Sequence, residues 1–260
     1  MTRFRKLLKE EEKLKKIEAL LQSDFQGFLY PTIYRGTRSS VDAFDVREIR
    51  KDRRPTGTRL EAQGIVDAYE NKFYTNWPKR SESKFGSPDR ISAGGYGPHE
   101  VVVFPEKLAD ICWIEYDPTT QFFHDCYSAL KTIIDSKMFG EFLDVLEMNG
   151  FEKLSRFLYK AEKFYKDQVS YEEYNKHLNN SIEGLRNEYE ELKNEKTELQ
   201  HQRGELLKVF RAIEMYFSAL KEGANKGAYE VIFDGEKYLR IDTDLFENNF
   251  SWSGKRWKVT

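Results

Sequence analysis

Three short stretches carry side chains whose types could act together on a phosphate-bearing sugar. They are Tyr34-Arg35-Gly36, Arg80-Ser81-Glu82-Ser83-Lys84-Phe85 and Tyr229-Glu230-Val231-Ile232-Phe233. An ionised carboxylate such as Glu230 can stabilise the positive charge that develops at a glycosidic carbon as its bond breaks. The planar fork of Arg35 can grip phosphate through parallel N–H donors in a way that lysine cannot reproduce. Each stretch alone is commonplace, and their order along the chain is the signal.

These residues need strands to hold them. Residues 28–36 read as an extended segment, since Pro31 disfavours helix and apolar residues alternate around it, so Arg35 falls at the strand's end. Residues 80–85 alternate as a short strand, Glu100 to Pro105 read as a buried strand, and Ile111 to Tyr116 as another. Glu230 opens a predicted β-hairpin, because two β-rich runs flank the turn Asp234-Gly235. A hairpin so isolated requires partner strands, and the only suitable ones lie before residue 120. Between them run an amphipathic helix over about 2–22, a second over 58–74 stopped by Trp77-Pro78, and the flexible loop Ser92 to Pro98. The expected class is α+β.

From residue 121 the spacing turns helical, with a turn at Asn149-Gly150. Ile182, Leu185, Tyr189, Leu192, Lys196, Leu199, Arg203, Leu206, Phe210, Ile213 and Phe217 follow a heptad seam, with Lys196 and Arg203 at core-facing positions. That pattern predicts an antiparallel, coiled-coil-like helical hairpin inserted into the α+β domain. The expected division is 1–117, 118–224 for the insertion, and 225–260 for strands that complete the first part.

Bulk composition narrows the class. The chain has 260 residues with 33% charged and 39% hydrophobic, which suits a core plus exposed helix. A net charge of -2 gives no global attraction to nucleic acid, so any basic surface is local. One local candidate is the run containing Arg47, Arg50, Lys51, Arg53, Arg54 and Arg59, a solvated face or a phosphate-contacting loop. Cys112 and Cys126 lack metal-ligand or redox spacing and the four histidines are scattered, so no metal site is expected. No run is long and apolar enough to span a membrane, and a soluble, cytoplasmic setting without membrane partners is the expectation.

The order of motifs resembles that of the ADP-ribosyltransferases with an arginine, serine-x-serine and glutamate signature, the cholera-toxin-like branch. The likeness rests on Tyr34-Arg35-Gly36, on residues 80–85, on Ala93 to Gly97 with the strand to Pro105, and on residues 229–233. It covers roughly half the chain, and the helical block has no counterpart in the minimal fold. It implies a split, mixed β-sheet core and NAD as ADP-ribose donor, without a metal. By this resemblance Glu230, Arg35 and Ser81 are catalytic. Arg35, Gly36, Ser81, Ser83 and Tyr96 bind NAD, Ser83 by bracing the strand and Tyr96 by stacking on nicotinamide.

The resemblance departs at Ala228, where many members that modify protein side chains carry Gln or Glu. A macromolecular acceptor that is nucleic acid or protein therefore stays open, with Arg50, Arg53 and Arg54 as candidate substrate contacts. Members of this type include toxins, bacterial anti-phage effectors and phage-encoded host modifiers. Two alternatives accompany it: a catalytically degenerate module whose helical hairpin grips a protein partner or antitoxin, and an NAD glycohydrolase that uses water as acceptor.

Overall fold

The computed structural model describes residues 3–27, 29–51, 59–94, 97–195 and 199–260. In chain order, α1 (Arg3–Ser23), β1 (Ile33–Thr37), β2 (Phe44–Glu48) and α2 (Leu60–Phe73) come first. Next are β3 (Lys84–Gly86), α3 (Arg90–Gly94), β4 (His99–Pro105) and β5 (Ile111–Ile114). Helices α4 (His124–Ile134), α5 (Phe139–Met148), α6 (Glu152–Tyr165), α7 (Tyr171–Leu192) and α8 (Gln200–Ala219) follow. The chain closes with β6 (Lys221–Glu222), β7 (Glu230–Phe233), β8 (Lys237–Asp242), α9 (Thr243–Asn249), β9 (Phe250–Trp252) and β10 (Trp257–Val259).

The class is α+β, and the elements divide into two compact units. One comprises residues 1–52, 82–116 and 221–260, and the other 53–81 and 117–220. The change of character near residue 117 was legible, but α2, expected with the first part, belongs to the helical unit. A second correction concerns the sheets, which were expected to be mixed. Every strand pairing among the described residues is antiparallel.

The strand unit holds sheets of order β1-β4-β8-β2 and β3-β7-β5-β6, with β9 and β10 as a separate pair. Alternation along the first sheet sorts its side chains into two cores. Val102, Phe104, Leu239 and Ile241 pack with Ile17, Leu21 and Phe25, from α1 and the turn after it, and with Phe246, Phe250 and Trp257. Ile33, Val101, Val103 and Tyr238 pack instead with Val231 and Phe233 of the second sheet. This second core sits between the sheets.

The predicted hairpin of β7 and β8 does not form. Strand β7 is bonded to β3 and β5 while β8 is bonded to β4 and β2, so Asp234-Gly235 is a corner between sheets. Gly235 takes φ +113, and its neighbour's N–H is held by the Glu106 carboxylate. Turn chemistry fixed the tight bend and could not specify the partners on either side.

In the helical unit, α7 packs chiefly against α2 and α6, and α8 against α4. Tyr174 stacks on Phe164 at 4.8 Å and Tyr189 on Phe210 at 5.0 Å. The heptad seam is thus shared among several neighbours, and the expected coiled-coil-like hairpin is replaced by a bundle. Arg203 has another role than fixing register. Its guanidinium donates to the carbonyls of Leu192 at 2.9 Å and Lys193 at 2.8 Å, capping the C-terminal end of α7 where a cation suits the helix dipole. Lys196 lies outside the described residues.

Candidate functional site

The two sheets of the strand unit meet where β1 runs beside the end of β3. Tyr34 N–H donates to Ser87 O at 2.8 Å and Ser87 N–H returns the bond to Tyr34 O at 2.9 Å. Only glycine fits between these strands. A Cβ on Gly86 would stand 2.4 Å from Ile33 Cγ2 and 2.8 Å from Tyr34 O. Arg35 completes the junction, its Nη1 donating to the carbonyl of Phe85 on the outer edge of β3.

Gly36 is equally constrained. A Cβ there would meet Gly97 N at 2.5 Å and Ala93 O at 2.6 Å, so the loop after α3 lies directly on β1. By alternation the Tyr34 side chain shares that face of β1, opposite to Arg35, and its hydroxyl donates to Glu247 Oε1 at 3.0 Å. Arg90 donates to Glu247 Oε2 at 3.0 Å and also pairs with Glu100. Burial first, then the bond to Glu247, pushes the Tyr34 hydroxyl up to about 12, so it stays a neutral donor at physiological pH.

Glu230 opens β7, paired with Ile114 on β5. The glycine-rich segment before it is a built turn: Asn225 Oδ1 accepts from Gly227 N–H at 2.9 Å, and Asn225 O from Ala228 N–H at 3.1 Å. Ala228 is buried in the core between the sheets, which is the packing reason for a small residue there. Glu230 is 3% exposed. Since Val231 and Phe233 face that core, alternation places Glu230 and Ile232 on the opposite face of the sheet.

The register of β3 on β7 decides which serine accompanies Glu230. Its last ladder pair is Gly86 with Val231, so one further step brings Ser87 alongside Glu230. Ser87 is buried, and its Oγ accepts from Asp89 N–H at 3.1 Å, a geometry that leaves the O–H as donor. Ser83 lies on the same face by alternation, but four residues back, roughly 13 Å along the strand. Its hydroxyl is fully buried and has no hydrogen-bond partner. At that end the neighbour on β7 is Asp234, whose carboxyl is pushed up by burial and by Asp110 and Glu82.

Ser81, expected mid-strand beside the glutamate, sits in a 3-10 turn, Arg80–Glu82, and belongs to the helical unit. The strand begins only at Lys84. Sequence reasoning thus stopped the alternation at Phe85 and missed Ser87. The signal was present: Ser83, Phe85 and Ser87 keep the period of two, with Gly86 small enough for close strand approach.

Structure therefore brings Arg35, Gly36, Ser87 and Glu230 onto neighbouring strands, β1, β3 and β7. It does not put Arg35 and Glu230 on one face: Arg35 works at the edge of β3, and the serines share a face with Glu230. Arg50 is exposed beyond the end of β2. Tyr96, Arg53 and Arg54 lie outside the described residues. Gly94, Gly97, Arg90, Glu100, Asp242 and Thr243 line a cavity of about 410 Å³, which neither Arg35 nor Glu230 borders.

Cys112 and Cys126 are buried thiols, and among the described residues no group of three or more His, Cys, Asp or Glu could hold a metal ion. No described helix is long and apolar enough to cross a membrane. Compared with protein-family models, with curated proteins and with solved structures, the chain matches none.

Proposed function

We propose that this chain is an NAD-dependent ADP-ribosyltransferase of the arginine, serine and glutamate branch, a toxin or phage–bacteria conflict effector that modifies a macromolecule. One observation carries the reading: the lateral order β1-β3-β7, joined through Tyr34 and Ser87, which draws Arg35 and Glu230 to within two strand spacings, roughly 10 Å. In the transfer, the bond between nicotinamide and ribose C1′ breaks and its electron pair leaves with nicotinamide. A lone pair of the acceptor then bonds to C1′, and the acceptor's proton passes to solvent. Glu230 stabilises the cationic ribose between these events, and Ser87 donates along the same face. Arg35 is a positioning residue that holds β3 against β1, and Gly36 admits the loop at Gly97 onto the opposite face of β1.

A second reading is favoured by the enclosure of Glu230, which is 3% exposed. A carboxylate so enclosed serves equally as a structural anchor in a non-catalytic interaction module. Nicotinamide release from NAD, followed with the purified chain, separates the two. The transferase reading predicts release that Glu230→Gln abolishes while the melting temperature is kept. Absence of release, with NAD binding also absent by calorimetry, supports the module. Release without any labelled acceptor in a cell lysate identifies hydrolysis to free ADP-ribose.

A further inference from the structure

The C-terminal strand pair carries a surface that the proposed chemistry leaves unused. Trp252 on β9 faces Trp257 on β10 across the ladder, ring centroids 5.5 Å apart, and Tyr30 stacks on Trp252 at 5.0 Å with an interplanar angle of 23°. Trp257 is the anchor: buried, it donates from Nε1 to Leu29 O at 3.0 Å and packs edge-on to Phe246. Tyr30 is the outer member, 40% exposed, with Lys226 Nζ 4.9 Å from its ring centroid.

Charge on this surface runs against the chain as a whole. From Phe250 to Thr260 there are Lys255, Arg256 and Lys258 and no acidic residue, in a protein of net charge -2. Lys255 and Arg256 are exposed at the turn between β9 and β10, closed by Ser253 N–H donating to Arg256 O at 3.0 Å. Ion pairs among the described residues of this unit include those of Arg47 and Arg240 with Asp45, and of Arg90 with Glu100, Asp244 and Glu247. None uses Lys226, Lys255 or Arg256. One exposed ring, Tyr30, backed by the half-buried Trp252 and flanked by cations outside these ion pairs, matches what a single strand offers, unstacked bases beside phosphates.

The platform also lies at the Glu230 end of its sheet. Strands β1 and β7 are each antiparallel to the β3 segment, so they run the same way and start at the same end. Tyr30 precedes β1 by three residues and Lys226 precedes Glu230 by four.

We propose that Tyr30, Trp252, Lys226 and the Lys255-Arg256 turn dock single-stranded nucleic acid, with a base stacked at the exposed Tyr30 ring that Trp252 supports and phosphates on the three cations. This rests on the transferase reading only for its purpose, which is to present an acceptor near Glu230. The test is fluorescence anisotropy of the full chain with labelled oligothymidylate and oligouridylate of about fifteen nucleotides, without NAD, against a duplex of equal length. Binding should favour single strands and weaken steeply with salt.

Tyr30→Ala should weaken it by about tenfold, as should the pair Lys255→Glu with Arg256→Glu. Circular dichroism checks that each variant is folded, and Tyr30→Phe should bind as wild type. No binding to either oligonucleotide overturns the proposal, as does binding that heparin displaces but Tyr30→Ala leaves unchanged. The DNA and RNA arms decide between the two sugars. Because Glu230→Gln should bind normally, failure of docking and failure of the transferase chemistry read out separately.

Discussion

Two buried glutamates, one in each unit, show why burial alone does not mark a catalytic carboxylate. Glu70 on α2 is 1% exposed and Glu230 on β7 is 3% exposed. Both carboxylate oxygens of Glu70 accept from the backbone N–H of Arg80, at 3.0 and 3.1 Å, so it fixes the chain as it leaves the helix. Glu188 does the same for α6, accepting from Lys153 and Leu154 N–H at 2.9 Å. These anchors satisfy orphan donors of turns and helix starts, which is structural work. Glu230 lies in a lateral row of strand positions with Ser87 and Tyr34, two strands away from β1 and its Arg35.

The largest stability effect should separate the two glutamates. Glu70→Ala leaves the Arg80 N–H buried without an acceptor and opens a cavity, costing about 3 kcal/mol in urea denaturation. Glu230→Gln, isosteric, should change stability by less than about 1 kcal/mol. Similar losses for both would make Glu230 another anchor.

A smaller effect is expected at the strand junction. Gly36→Ala forces the loop at Gly97 off β1, and overpacking against backbone costs about 2 kcal/mol. Transfer should fall along with it, since the displaced loop disturbs β1, the strand that carries Arg35. A fully active, undisplaced Gly36→Ala protein would detach this junction from the chemistry.

The smallest effects are pH-dependent and opposite in sign. Burial, and then the charge of Asp67, raises Glu70 well above the ordinary carboxylate range. Its contribution is fully present below the unfolded value of about 4.3 and is lost as pH rises through the folded value. Asp45 is the reverse. Burial pushes it up, but the fork of Arg240, at 2.7 and 2.6 Å, outweighs that and holds it below its usual value. Its contribution is present above about 3.9 and is lost as pH falls through the folded value. In denaturation series from neutral to acid pH, Glu70→Gln should be most destabilised relative to wild type on the acid side. Asp45→Asn should lose its disadvantage there.

How much of this was legible depended on whether the determinant was local. The change of class near residue 117, the turn at Gly150 with φ +83, and the strand at Glu100 to Pro105 follow from spacing and composition. Partners in space did not. Asp234-Gly235 announced a bend but joins two sheets, because the neighbours of β7 and β8 come from distant segments. Leu185 and Leu192 are buried as the heptad demanded, yet against several helices, since an apolar stripe does not name its partner. Arg35, Gly36 and Glu230 were picked from residue types and order. The serine beside Glu230 needed the register, which a sequence read alone does not supply.

The most direct measurement is transfer of radiolabelled ADP-ribose from NAD to acceptors in a lysate, by wild type, Glu230→Gln and Ser87→Ala, with melting temperatures taken in parallel. Loss of a charge-stabilising group predicts a fall of at least about a hundredfold for Glu230→Gln. A smaller fall is expected for Ser87→Ala, with both proteins folded. Transfer by Glu230→Gln equal to wild type, or no transfer by wild type with NAD bound, would contradict the assignment of Glu230 as the catalytic carboxylate.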